Sequence, residues 1–338
     1  MSAKAHILPV FVPHWGCPHA CVFCNQRRIS GAKKPATAQD VKNAINEAAA
    51  FLPKGGKRQL AFYGGSFTAI PIPEQEALLD AAKEALDRGE IDAVRLSTRP
   101  DAIDAAVLDR LQAYGVETVE LGAQSMDDEV LRLTERGHTA RDVKRASKLI
   151  RAAGFKLILQ MMTGLPGASD ESDIETARRL IALQPDGVRV YPTVIVRDTV
   201  LYDMWQAGAY KEHSVEDAVR VCARIVPLFE QAGIPIIRLG LNPTEELSDG
   251  AAVGGAYHPA LGELVKSRIL LDKARKLLDG IEPGGRVTLL VGRGKTSQMA
   301  GQHRENIRRL TEEYALTDLK IREKTEADTE IVLLSIEK

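Results

Sequence analysis

Over its first 240 residues the chain alternates short apolar runs with longer amphipathic stretches. The apolar runs are rich in β-branched residues and predict strands, whereas the amphipathic stretches repeat their apolar positions every three to four residues and predict helices. Strands that alternate with helices usually pair in parallel through right-handed crossovers. The predicted strands are residues 7–12, 59–63, 93–98, 118–123, 157–162, 187–192 and 235–239, and the predicted helices are residues 38–52, 74–88, 103–114, 140–153, 171–183 and 215–232.

The pattern changes after residue 241. Residues 242–259 are rich in glycine and small side chains and predict a long loop. We therefore expect an α/β protein: a partial parallel (β/α)6 barrel over residues 1–245, followed by a small α+β C-terminal unit over residues 246–338. The elements predicted for that unit are a helix at 262–278, a strand at 286–291, a helix at 298–314, and strands at 319–322 and 330–335.

Turn and cap residues support these boundaries. Gly115, Gly154 and Gly233 each follow a predicted helix, where glycine readily adopts the left-handed conformation of a C-terminal cap. Thr37 precedes the first helix and Asp40 follows three residues later, close to the capping-box pattern. The cap signals and the apolar pattern thus predict the same helix ends.

Composition and charge narrow the class of protein. Hydrophobic residues make up 44% of the 338 residues and charged residues 27%, as in ordinary globular proteins. The formal net charge of −1 leaves no global basic field, so contact with nucleic acid would require a local basic patch. No apolar run reaches the length of a membrane span, and residues 1–12 lack the layout of a signal peptide. We therefore expect a cytoplasmic protein that does not enter a membrane.

Three of the four cysteines lie within eight residues, after the first predicted strand. Cys17, Cys21 and Cys24 have the spacing Cys-x3-Cys-x2-Cys, and loops at the carboxyl ends of parallel strands are where such folds bind ligands. Three thiolates at this spacing can hold three irons of a cubane cluster and leave the fourth iron open to a small chelating ligand.

Three other arrangements of the cysteines stay open. Zinc could bind the three thiolates with His14 or His19 as its fourth ligand. Cys222 could complete a four-cysteine cluster, although its position on an apolar helical stripe favours a place in the core. The cysteines could also be buried free thiols.

The cysteine loop resembles that of the radical S-adenosylmethionine (SAM) superfamily, which has an aromatic residue between the last two cysteines, as Phe23 is here. The resemblance implies that Cys17, Cys21 and Cys24 bind a 4Fe–4S cluster that reduces and cleaves SAM. It implies that the resulting 5′-deoxyadenosyl radical abstracts hydrogen from a substrate. It also implies that Phe23 packs near the adenine of SAM.

Motifs at the ends of the later strands resemble further SAM-binding elements of this superfamily. Gly64–Gly65 resembles the Gly-Gly-Glu-type motif that binds the SAM amino group, but Ser66 stands where glutamate is common. The resemblance assigns Arg136 to the SAM carboxylate, whereas Arg99 could bind a ligand or pair with Asp101. The side chains and loops expected to bind SAM are those of Phe23, Gly64, Gly65, Ser66, Arg99, Gln124, Arg136, Met162 and Tyr191.

Several stretches together resemble the radical SAM half of the Elongator catalytic subunit. This resemblance covers residues 7–240 and implies modification of wobble uridine in tRNA. It implies SAM, an electron donor such as flavodoxin or ferredoxin, and tRNA as partners. The region after residue 250 is too short for the acetyltransferase domain of that family, so acetyl-CoA chemistry is not expected. The stretches are residues 98–101, 120–125, 136–139, 161–167 and 191–199.

Two other functions stay open. Oxygen-independent coproporphyrinogen oxidase-like proteins are the next resemblance, and they favour a small-molecule substrate such as a porphyrin. A protein that keeps a cluster or zinc for folding, without catalysis, is the other alternative. The motifs assign no acid, base or radical relay that acts on the substrate.

Overall fold

The structure is a computed structural model that describes residues 6–18, 20–32, 34–51, 56–244, 247–324 and 331–337. His19, one of the alternative zinc ligands, lies outside the described residues. So do residue 52, at the end of the first predicted helix, and residue 330, at the start of the last predicted strand.

The chain divides into two compact units. The first comprises residues 1–218 and 225–259, and the second comprises residues 219–224 and 260–338. The domain boundary predicted between residues 245 and 246 stays a prediction, because a compact unit is not the same as an independently folding domain.

Parallel strands form the centre of the first unit. Seven of its strands lie in one sheet in the order β1-β2-β3-β4-β5-β6-β8, and every neighbouring pair is parallel. The predicted α/β half-barrel is therefore confirmed, with β8 as a seventh strand at the sheet edge. The strands described in this unit are β1 His6–Phe11, β2 Arg58–Tyr63, β3 Ala93–Thr98, β4 Val116–Gln124, β5 Lys156–Thr163, β6 Gly187–Pro192, β7 Val194–Val196, β8 Ile236–Leu239 and β9 Ala252–Gly255.

Helices follow most of these strands, as the apolar pattern predicts. Three short helices of five to seven residues, α1, α5 and α8, were not predicted, because so few turns leave no visible apolar period. The helices are α1 Gln26–Ser30, α2 Ala38–Phe51, α3 Ile72–Asp87, α4 Ala105–Ala113, α5 Asp128–Leu133, α6 Ala140–Ala152, α7 Asp170–Ile181, α8 Val200–Gln206 and α9 Val215–Gln231.

The predicted cap residues are confirmed at both kinds of helix end. Gly115, Gly154 and Gly233 all have positive φ angles, between 69° and 84°. The Thr37 amide donates to Asp40 Oδ2 at 2.8 Å, and the Asp40 amide donates to Thr37 Oγ1 at 3.3 Å. These caps satisfy backbone groups that a helix cannot pair internally.

The stretch predicted as a long loop, residues 242–259, is in part a strand. Within it, β9 pairs with β7 in an antiparallel two-stranded sheet, with Val194 opposite Gly255 and Ile195 opposite Gly254. The prediction of a loop was wrong here because a four-residue strand of small side chains has almost no apolar signal.

The two faces of the large sheet differ in polarity. The outer face carries Leu60, Phe62, Leu96 and Leu121, each without exposed surface, and α2, α6 and α7 contact the sheet. Burying each such side chain stabilises the fold by about 1.5–3 kcal/mol. The inner face carries charged and polar side chains instead, and these surround the cavity described below.

The second unit is an α+β arrangement around its own apolar core. Strands β10 and β11 pair in parallel, and β12 pairs with β10 in the antiparallel sense. The helix predicted at residues 298–314 is broken, because His303 and Arg304 have left-handed backbones with φ of 49° and 60°. The elements are α10 Leu261–Leu278, β10 Arg286–Val291, α11 Thr296–Ala300, α12 Glu305–Glu313, β11 Asp318–Glu323 and β12 Val332–Glu337.

Within the described ranges, no helix combines the length and apolar character that crossing a bilayer requires. The helix α10 has 18 residues, but seven of them are charged.

Candidate active site

The three clustered cysteines lie in the loop that joins β1 to α1. The Cys17 amide donates to the His14 carbonyl at 3.1 Å, and the Cys24 amide donates to the Cys21 carbonyl at 3.0 Å, so the loop turns tightly. Cys21 is buried, Cys24 is half-buried and Cys17 is exposed. Burial and the neighbouring Cys21 raise the pKa of Cys24 to about 12. A metal must therefore displace its proton on binding.

Two side chains considered as a fourth ligand are engaged elsewhere. His14 Nε2 accepts a hydrogen bond from the Gln26 amide at 2.9 Å, which holds the start of α1. Cys222 is buried on α9 and is not among the side chains that line the cavity. In the part of the chain that the structure describes, no three His, Cys, Asp or Glu side chains converge on a single metal ion. A cubane cluster does not require that convergence, because it places each thiolate on a different iron.

The Gly-Gly-Ser segment after β2 lies directly against the cysteine loop. A Cβ on Gly65 would lie 2.3 Å from the Val12 carbonyl oxygen, so only glycine allows this approach. The Ser66 amide donates to the Trp15 carbonyl at 2.9 Å. The Ser66 hydroxyl is fully buried and has no hydrogen-bond partner among the described residues. Such a group calls for a partner that the protein itself does not supply.

The guanidinium of Arg136 lies beside one of the cysteines. Its Nη1 donates to Cys21 Sγ at 3.0 Å and its Nη2 to the Gly122 carbonyl at 2.9 Å. Its Nε is buried without a hydrogen-bond partner among the described residues, and the side chain makes no ion pair with a carboxylate there. A buried arginine without a counter-ion is costly, so this position favours an anionic ligand.

Arg99 supports this arrangement rather than presenting a free charge. It forms a two-point ion pair with Asp101, at 3.0 and 3.1 Å, and its Nη2 also donates to the Arg136 carbonyl. The pairing with Asp101, left open by the sequence, is therefore present. Arg99 still lines the cavity and holds the backbone that carries Arg136.

Gln124 lies at the carboxyl end of β4 with a left-handed backbone, φ 63°. Its Oε1 accepts a hydrogen bond from Gln160 Nε2 at 3.3 Å. A Cβ on Gly122 would lie 2.9 Å from Gln124 Nε2, so the glycine makes room for this amide. The positive φ turns the Gln124 side chain to the cavity, which it lines.

Apolar and aromatic side chains form another wall of the cavity. Phe23 and Met162 belong to one buried cluster with Cys21, and Tyr191 packs against it. Burial raises the pKa of Tyr191, so its hydroxyl stays neutral. A flat ring and a polarisable thioether suit a planar aromatic ligand.

A further group of polar side chains, on the inner face of the sheet, was not predicted as part of the site. Glu120 Oε1 accepts from the Tyr63 hydroxyl at 2.8 Å, and Glu120 Oε2 accepts from Arg189 Nε at 2.7 Å. Arg95 Nε lies 2.8 Å from Glu120 Oε1. We call Tyr63, Arg95, Glu120 and Arg189 the inner cluster. The signal that could have revealed it is the presence of charged residues at inward-facing positions of strands whose other face is apolar.

All twelve predicted site residues line one cavity of about 460 Å³. Tyr63, Glu120 and Arg189 of the inner cluster line the same cavity. Its size suits a small-molecule ligand. The structure therefore brings the predicted residues together, while their individual roles stay predictions.

Two protein-family models match the sequence over most of the first unit. The model of the radical SAM superfamily matches residues 12–180, and that of the radical SAM C-terminal domain matches residues 185–270.

The sequence is also similar to that of other proteins over about half of its length. The chain is 33% identical over 192 residues to human Elongator complex protein 3, which covers 51% of this chain and 35% of that protein. It is 33% identical over 222 residues to the tRNA uridine(34) acetyltransferase of Dehalococcoides mccartyi, covering 57% of this chain and 48% of that protein. The chain thus spans about a third to a half of the length of these relatives.

Two solved structures share the fold. The archaeal Elp3 of Methanocaldococcus infernus superposes with a TM-score of 0.63 and 23% identity, covering 85% of this chain and 71% of that one. The coproporphyrinogen III oxidase of Escherichia coli superposes with a TM-score of 0.50 and 21% identity, covering 69% and 54%. Both resemblances stated from the sequence are confirmed.

Proposed function

The chain belongs to the radical SAM superfamily, and from this premise we propose that Cys17, Cys21 and Cys24 hold the 4Fe–4S cluster at which SAM is cleaved. Members of this family use that cluster and SAM as cofactors. When bound, the two supply a one-electron cleavage of SAM and a 5′-deoxyadenosyl radical that takes hydrogen from a substrate. The chain's own residues hold, orient and enclose them.

The Arg136 guanidinium beside Cys21 is the observation that carries this proposal. Its charge is buried, its Nε has no partner among the described residues, and the anions nearest to it in this site would be cysteine thiolates and a bound carboxylate. Both become available when the cluster and SAM bind. The unpartnered hydroxyl of Ser66, on the adjoining loop, adds a second position that fits a polar group of the ligand.

The remaining predicted residues have matching chemistry. Arg136 binds the SAM carboxylate through a charge-assisted fork, and Ser66 with Gln124 binds polar groups of its amino-acid part or ribose. Arg99 keeps Arg136 in place through the hydrogen bond to its carbonyl. Phe23, Met162 and Tyr191 form the wall that packs against adenine and excludes water.

We further propose a tRNA nucleoside as the substrate. The support is the similarity to relatives named as a tRNA uridine(34) acetyltransferase and as Elongator complex protein 3. A one-electron donor such as flavodoxin or ferredoxin and a cytoplasmic location complete the proposal. Of the three cysteines in the loop, Cys17 is exposed, which supports access of such a donor to this loop.

Anaerobic reconstitution with iron and sulfide tests the cofactor proposal. The full chain should bind about four irons, and with dithionite and SAM it should form 5′-deoxyadenosine, detected by chromatography. Cys21→Ala should lose both properties. Cys222→Ala, the matched control on α9, should keep both. Zinc in place of iron, or an intact cluster that leaves SAM uncleaved, would contradict the proposal.

The substrate proposal has its own readout. Adding tRNA that lacks modifications should raise the rate of 5′-deoxyadenosine formation and produce a nucleoside of altered mass. Short oligonucleotides without a folded anticodon arm serve as the control. A rate and a nucleoside profile unchanged by tRNA would leave the cofactor chemistry standing and remove tRNA as the substrate.

A further inference from the structure

We propose that the inner cluster binds a carboxylate, and that a small carboxylate-bearing molecule therefore occupies this cavity at Arg189, in addition to the tRNA nucleoside. The inference rests on the proposed function only in that the reaction takes place in the same cavity. The binding of a carboxylate can nevertheless be measured without the cofactors.

The inner cluster lies nearer the amino ends of the strands than most residues proposed to bind SAM, and it meets them where Tyr63 precedes Gly64 and where Arg189 contacts the Tyr191 hydroxyl. Glu120 precedes Gln124 by four residues on β4, and because the strand bulges between Gly122 and Gln124, the two lie about 10 Å apart along the strand. Arg189 precedes Tyr191 by two residues on β6 and pairs in register with Gln160 of β5. Nothing in the proposed binding of SAM uses these charges.

The charges of the inner cluster do not balance. The carboxylate of Glu120 faces two guanidinium groups, those of Arg95 and Arg189, so two positive charges meet one negative charge. Burial and the charge of Glu120 raise the pKa of Tyr63 well above its ordinary value, so its phenol is neutral and adds no negative charge. One positive charge is left over in a buried place, which is costly unless an anion joins it.

Arg189 also has a donor to spare. Its Nε and Nη2 bind Glu120 and the Tyr63 hydroxyl. Among the residues that the structure describes, its Nη1 has one hydrogen-bond partner, the Tyr191 hydroxyl at 3.5 Å, which is a long and weak hydrogen bond. The side chain lines the cavity, so Nη1 is the group available to a ligand.

The surroundings select the type of anion. Apolar side chains from β1, α1 and β7, and from the segment after β8, line the cavity as well; they are Ile7, Pro9, Phe11, Ile29, Val194, Val196 and Leu241. A single excess positive charge matches a single negative charge, and apolar walls disfavour a strongly hydrated dianion. A carboxylate on a short apolar body meets both conditions better than a phosphate.

Thermal unfolding of the full chain with 50 mM propionate tests this proposal, with 50 mM propionamide at equal ionic strength as the neutral, equally shaped control. Small ligands of this size bind with dissociation constants of the order of millimolar. We expect propionate to raise the unfolding midpoint by about 3 °C and propionamide to leave it unchanged. The two tryptophans, Trp15 and Trp205, report the transition by fluorescence.

Variants assign the effect to the inner cluster. Arg189→Gln should abolish the propionate shift, whereas Arg136→Met, at the other buried arginine of the cavity, should keep it. Glu120→Gln, which removes the competing carboxylate, should enlarge it even though it lowers the midpoint without ligand. If the inner cluster had only a structural role, both variants would lose stability, and propionate would raise their midpoints as much as that of the wild type. Arg132→Gln, at an exposed arginine paired with Glu129, is the matched control and should behave as the wild type.

Three results would overturn the proposal. One is the same shift with propionamide as with propionate. Another is an undiminished propionate shift in Arg189→Gln, or, if that variant does not fold, in Arg189→Lys, which lacks the planar fork. The third is stabilisation by inorganic phosphate but not by propionate. Because none of these measurements uses iron or SAM, they are independent of whether 5′-deoxyadenosine is formed.

Discussion

Two parts of one cavity differ in how their buried charges are satisfied. At the cysteine loop, Arg136 contacts a thiol and a backbone carbonyl, and its Nε and the Ser66 hydroxyl have no partner among the described residues. In the inner cluster, by contrast, one carboxylate, that of Glu120, is contacted by two arginines and a tyrosine. The first part leaves polar groups open to a ligand, whereas the second is largely assembled by the fold. Mutations in the two parts should therefore separate loss of ligand binding from loss of stability.

The largest effect is expected from Glu120→Gln. It leaves Arg95 and Arg189 buried without their shared counter-ion, so the free energy of unfolding should fall by about 3–5 kcal/mol. Urea denaturation measures this. Glu117→Gln, on the same strand, breaks a half-exposed pairing with Lys57 and Lys156 and should cost about 1 kcal/mol or less. Equal losses in the two variants would show that the inner cluster is no more than a surface-like ion pair.

The buried His138, close to Arg136, should make the protein lose stability in acid. Burial and the charge of Arg136 lower the pKa of His138 to about 4. As the pH falls from 6.5 to 4, the unfolded chain takes up a proton that the folded chain does not bind. The wild type should therefore lose about 3 kcal/mol of stability relative to His138→Gln across this range. His303→Asn is the control for an exposed histidine. Parallel pH profiles for wild type and His138→Gln would refute the shift.

Arg136→Met should have the opposite effects to those expected for Glu120→Gln: little loss of stability, but a loss of SAM affinity. Replacing an uncompensated buried charge by an apolar side chain should change the stability of the cofactor-free protein by about 1 kcal/mol or less. The affinity for SAM of the reconstituted protein should fall by about 30-fold, because a charge-assisted fork is lost. Equilibrium binding measures this. Arg145→Met, whose arginine binds the Ile103 carbonyl, is the matched control. An unchanged affinity for SAM would remove Arg136 from the binding site.

The smallest effect is expected from Ser66→Ala. The hydroxyl makes no hydrogen bond within the described structure, so its removal should leave stability within about 0.5 kcal/mol. One hydrogen bond to SAM is worth about 1 kcal/mol, so the affinity for SAM should fall about fivefold. Ser147→Ala removes another buried hydroxyl that has no hydrogen-bond partner among the described residues, and it should leave the affinity unchanged. A stability loss with unaltered SAM affinity would give Ser66 a purely structural role.

The fold was largely predictable because its periodicities are local. All seven strands of the large sheet coincide with predicted apolar runs, and the capping residues Thr37 and Asp40 form the expected pair. Most missed elements have little local signal: α1, α5 and α8 are too short, and β9 consists mainly of small residues. Strand β7 was missed too, because its β-branched run is only three residues long. The break before α12 was missed as well, because left-handed backbones at His303 and Arg304 leave no mark in the apolar pattern.

The candidate site was predictable only for its motif-bearing half. The spacing of Cys17, Cys21 and Cys24, and their resemblance to a family, pointed to residues that do line one cavity. The inner cluster was not assigned: its charged residues alternate with apolar ones along the strands, but that pattern alone does not show whether the polar face meets solvent or a buried cavity. Arg99 is a second example, because the sequence left open whether it binds a ligand or Asp101, and the three-dimensional structure shows the pairing with Asp101.

By itself, the sequence determined the alternation of strands and helices, the caps and the cysteine spacing, because each depends on neighbours within a few residues. The tertiary structure decided which charges meet. Glu120 lies 69 residues from Arg189 and 57 from Tyr63 along the chain, yet its carboxylate contacts both side chains. Such contacts arise only when parallel strands place distant residues in register. They set the local balance of charge in the cavity, which the overall net charge of −1 does not show.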